Sequence, residues 1–65
     1  MHEYKVEVTR DGRWWMIHVP EIDQLTQARR ISEIVPMAES LIAVSTDRPI
    51  TEIKVEVTGI DVPGL

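Results

Sequence analysis

Apolar and polar residues alternate from Tyr4 to Thr9 and again from Trp14 to Val19, on either side of Asp11-Gly12. Period-two alternation predicts half-buried strands, and Asp-Gly is a preferred type I′ hairpin turn because both central positions need positive φ. Closure there pairs Arg10 with Arg13, Thr9 with Trp14, Val8 with Trp15, Glu7 with Met16, Val6 with Ile17, Lys5 with His18 and Tyr4 with Val19. Cross-strand partners share a face. Tyr4, Val6, Val8, Trp15, Ile17 and Val19 therefore form an apolar face that requires cover. The opposite face carries Lys5, Glu7, Thr9, Trp14, Met16 and His18, and on this register Trp14 is exposed while Trp15 is buried.

Pro20-Glu21-Ile22-Asp23 interrupts the ladder, since proline donates no backbone hydrogen bond. Leu25 to Arg30 reads as a short third strand whose polar residues protect a free edge. Ile34, Met37, Ala38, Leu41 and Ile42 follow the spacing of one buried helical stripe. The helix is expected from about Glu33 to Ser45, with Ser32 as N-cap, Pro36 in the first turn and Asp47-Arg48-Pro49 as the stop. Ile53, Val55 and Val57 alternate with Lys54, Glu56 and Thr58 in a last strand, whose Lys-Val-Glu-Val-Thr repeats residues Lys5 to Thr9. The order is β-β-β-α-β, an α+β domain over 1–58 with one helix on a mostly antiparallel four-stranded sheet. The last strand returns parallel to the first, and residues 59–65 form an extended tail. Ile53, Val55 and Val57 complete the expected core together with the helical stripe.

Size and composition narrow the function. A chain of 65 residues without cysteine buries only about 60% of its unfolded surface and is marginal alone, so a homodimer or larger homo-oligomer is expected. The absence of cysteine gives no reason to place it in an oxidising compartment, and a cytoplasmic location is the expectation. No apolar run approaches the roughly 20 residues that span a bilayer, and no signal-peptide layout opens the chain. The net charge of −4 makes nucleic acid an unlikely target for this domain alone, because such binding draws on phosphate neutralisation.

Catalysis finds little support. His2, expected in a frayed terminus, and His18, on an exposed strand face, are the only candidate bases for a nucleophile, and scattered carboxylates give no metal-ligand spacing. No catalytic residue, metal or cofactor is assigned. Arg10, Arg13, Arg29 and Arg30 gather at the turn and the edge strand as a basic rim. Trp14 and Met16 beside it are residue types enriched in protein interfaces. The candidate partner-binding set is Trp14, Met16, Arg13, Arg29, Arg30 and, from the tail, Ile60, Val62 and Leu65, three apolar anchors for a partner's edge.

The run from Arg10 to Ile22, then Leu25-Thr26-Gln27-Ala28-Arg29-Arg30, then a helix opening near Ser32-Glu33 resembles small actinobacterial proteins of the HicB-like antitoxin family. The resemblance spans about residues 4–57. It implies a partial ribonuclease-H-like domain without nuclease activity, which dimerises and masks the active site of a small mRNA-cleaving toxin, HicA. Full-length members often add a C-terminal DNA-binding segment; none is legible here, so operator binding is not expected, and Pro36 departs from the residues usual in that helix's opening turn. The leading expectation is a non-enzymatic, dimeric antitoxin-like neutraliser acting by steric masking. The alternative is a bacterial or phage-borne regulatory, nucleic-acid-associated module that kept the fold and binds another partner.

Overall fold

The computed structural model describes residues 2–61. Strand β1 runs His2–Asp11, β2 Trp14–Val19, β3 Gln24–Ala28 and β4 Ile53–Asp61, with one helix, α1, over Ile34–Thr46. Short 3₁₀ turns at Pro20–Ile22, Ile31–Glu33 and Ile50–Glu52 join them. The sheet order is β3-β2-β1-β4, with β1 antiparallel to β2, β2 antiparallel to β3, and β4 parallel to β1. This is the expected α+β arrangement of one helix on a four-stranded mixed sheet.

The hairpin register differs from the expected one by two residues. Asp11 pairs with Trp14, Arg10 with Trp15, Thr9 with Met16, Val8 with Ile17 and Glu7 with His18. The loop is therefore Gly12-Arg13, not Asp11-Gly12. Gly12 has φ +60, and Asp23 and Asp47 are the non-glycine residues at positive φ among those described. Only the first loop position thus needs positive φ, which is the glycine-first pattern of a type II′ turn, and Asp11 is spared a left-handed backbone. A slip of two residues keeps every side chain on its face, whereas a slip of one would exchange the faces.

The facing assignments hold for that reason. The buried core is Tyr4, Val6 and Val8 from β1, Trp15, Ile17 and Val19 from β2, Ala28 from β3, Ile34, Ala38 and Ile42 from α1, and Ile53 from β4. Ala28 joins as the β3 partner of Trp15. Leu41, Val55 and Val57 are only partly buried against this cluster, the two valines because β4 is an edge strand. Met37, expected in the core, is 37% exposed: Ile34, Ala38 and Ile42 are spaced by four, and Met37 falls on the flank of that narrow stripe.

Element boundaries also shift. β3 ends at Ala28, so Arg29 and Arg30 lie in the bend beyond it. Glu33, not Ser32, is the N-cap of α1, with no side-chain capping hydrogen bond. Pro36 is the third helical residue, where the missing N–H has no intrahelical acceptor to lose. Asp47 closes the helix in the left-handed region at φ 57, and the Thr46 hydroxyl donates to the Ile42 carbonyl at 2.7 Å. His2 is not frayed: it belongs to β1, opposite Ile53, donates from Nε2 to Glu21 Oε2 at 2.6 Å and sets its ring edge-on to Tyr4 at 4.5 Å.

The expected tail begins too early. β4 continues through Gly59, Ile60 and Asp61 by means of a bulge: Val6 pairs with Val57, but Glu7 pairs with Gly59, leaving Thr58 as the extra residue. The Thr58 hydroxyl donates to the Val6 carbonyl at 3.3 Å. Val62 and Leu65 lie outside the described residues.

Candidate functional site

One helix covers one face of the sheet, and no element among the described residues covers the other. The registers place the residues of this outer face in rows across the strands. Trp14 leads to Asp11; Gln27 and Met16 lead to Thr9; Leu25 and His18 lead to Glu7 and Gly59; Lys5 stands beside Glu56, and Glu3 beside Lys54.

Trp14, expected to be exposed, is half-buried, because the Arg29 guanidinium lies over its ring at 5.1 Å from the centroid. A cation over an indole face is held by the ring quadrupole, so the two side chains brace each other. Arg13 joins them around a shallow hollow lined by Arg13, Trp14 and Arg29. Met16 is half-buried beside this corner, and Leu25, which sequence reasoning did not single out, is 62% exposed on the same face. Its alternation with Thr26 and Ala28 was the available signal: once Ala28 points inward, Leu25 and Gln27 point outward.

The rest of the outer face is largely polar and carries two side-chain pairs between neighbouring strands. His18 Nδ1 donates to Glu7 Oε1 at 3.0 Å, and Lys54 Nζ lies 3.6 Å from Glu3 Oε2. Both pairs are well exposed to water, where such contacts contribute little stability, about 0–1 kcal/mol.

One residue of the expected binding set, Ile60, and one arginine of the expected basic rim, Arg10, do not belong to this face. Ile60 pairs with Val8 and so lies on the helix side of the sheet, because the Thr58 bulge resets the alternation; it is 50% exposed there. Arg10 also sits on the helix side. Its guanidinium is 4.7 Å from the Trp15 ring centroid and its Nε donates to the Gly12 carbonyl at 2.7 Å. The basic rim is accordingly split between the two faces. Arg30 is exposed in the bend after β3 and does not line the Arg13–Trp14–Arg29 hollow.

Among the described residues, no polar or charged side chain is buried, no group of three or more histidine, aspartate or glutamate side chains could hold a metal ion, and no helix is long and apolar enough to cross a membrane. What the outer face can do is present area: an indole, a thioether and an isobutyl group, flanked by two guanidinium groups at one corner. Compared with known proteins, the chain matches no family model, no curated protein and no solved structure.

Proposed function

We propose that this chain is a non-enzymatic, dimeric protein-binding domain that neutralises a small RNA-cleaving toxin by lying across its active site, as the HicB-like resemblance of residues 4–57 implies. The observation that carries the reading is the outer face, uncovered among the described residues, which presents Trp14, Met16 and Leu25, with Arg13 and Arg29 at the Trp14 corner. Aromatic, methionine and arginine side chains are the types enriched at interface centres. The remaining outer face carries both signs, Glu3, Glu7 and Glu56 beside Lys5 and Lys54, and forms a polar rim to the apolar residues.

The test is co-expression. A small basic HicA-like toxin encoded beside this chain arrests growth alone and is harmless with the wild-type domain. A Trp14→Ala, Leu25→Ser variant, folded by circular dichroism, loses the protection. Full protection by that variant, or failure of the wild-type domain to bind such a toxin, overturns the reading.

The Arg13–Trp14–Arg29 corner supports a second reading, a regulatory module that stacks a base on Trp14 and holds phosphate with the two arginines. That reading requires binding of single-stranded RNA or DNA by the purified domain, weakening steeply as salt rises.

A further inference from the structure

Among the described residues β4 is an edge strand whose open side is complementary to itself, and we infer that two copies of this chain join there, extending the sheet from four strands to eight. The inference deepens the dimer proposed above and is independent of what the outer face binds.

The regular part of the edge is short and bounded. The 3₁₀ turn Ile50–Glu52 precedes it and the Thr58 bulge follows, leaving Ile53-Lys54-Val55-Glu56-Val57. Two identical edges can meet about a two-fold axis only if the axis stands perpendicular to the sheet. The strands then run antiparallel, both helices lie on the same side, and each residue faces a residue of its own face. The axis must therefore pass through one residue. Centring on Lys54 or Glu56 sets like charges directly opposite, which is unfavourable.

Centring on Val55 uses all five residues and satisfies each. Val55 meets Val55 of the second copy, and Ile53 meets Val57 twice, on the helix side where Val55 and Val57 are left half-buried in a single chain. On the outer side Lys54 meets Glu56 twice. Within each chain Lys54 already stands beside Glu3 and Glu56 beside Lys5. The joined sheet thus carries two rows reading Glu3, Lys54, Glu56, Lys5, the first pair from one copy and the second from the other. Signs alternate at every step. Edge strands usually carry charge that discourages pairing; here the charges favour one register with a second copy.

Sedimentation equilibrium on the full chain decides the matter, using Lys54→Glu and Glu56→Lys with folding checked by circular dichroism. Each reversal turns both cross-copy pairs from attraction to repulsion and should raise the dimer dissociation constant at least about tenfold. An equimolar mixture of the two variants should dimerise again, because one copy then carries two acidic side chains at positions 54 and 56, the other carries two basic ones, and both cross-copy pairs join opposite charges. A wild-type dimer indifferent to both reversals, or a mixture no tighter than the separate variants, overturns the edge and leaves dimerisation to another face. A wild-type monomer at hundreds of micromolar overturns both the edge and the dimer.

Discussion

Gly12 and Gly59 show how a single residue's role follows from its backbone. A Cβ at either would meet nothing within 4 Å, so packing does not distinguish them. Gly12 has φ +60 and Gly59 has no such constraint. Gly12→Ala should therefore cost about 1–2 kcal/mol, while Gly59→Ala should gain up to about 1 kcal/mol by restricting the unfolded chain. Urea unfolding of the two variants measures both signs. The tryptophans divide the same way. Trp15, 7% exposed beneath Arg10, should lose about 3–5 kcal/mol on truncation to alanine, close to the whole stability of so small a domain. Trp14→Ala removes a half-buried ring and should cost only about 1–1.5 kcal/mol.

At the scale of elements, strand order, faces and the helix were legible because period-two and period-3.6 patterns survive small errors of register. The hairpin register was not, since Asp-Gly allows the turn to be centred on either side of Gly12 and only the backbone angles decide. Nor was the bulge at Thr58, which no local pattern announces: Val57, Thr58, Gly59 and Ile60 read as a strand running out into a tail. That one residue moved Ile60 from the expected binding set to the helix side. The outer-face pair Trp14 and Met16 was visible as a break in a polar alternation, whereas their companion Leu25 needed the β2–β3 register to be placed. Deleting Thr58 tests the bulge directly. Glu7–Gly59 and Val8–Ile60 pairing should persist in a now regular ladder, at the cost of the hydrogen bond to Val6, about 1 kcal/mol. Nuclear Overhauser contacts between Val8 and Ile60 should be retained. Their loss would mean that Thr58 sets the register.

For the whole molecule, one helix against one face of four strands leaves three surfaces without cover among the described residues: the outer face, the β3 edge and the β4 edge. Their division of labour can be read from unfolding as a function of concentration, because a dimer is stabilised by mass action. A tenfold rise in protein concentration stabilises a dimer by about 1.4 kcal/mol, or half that per chain. At about 4–8 °C per kcal/mol for a domain of this size, Tm should rise by about 3–6 °C for each tenfold increase. The Lys54→Glu variant should lose this dependence while the Trp14→Ala, Leu25→Ser variant keeps it, since the outer face lies away from the joined edge. If the outer-face variant were instead the one to lose it, the dimer would be built on the face proposed for the toxin. Masking a toxin with that same face would then require the dimer to come apart.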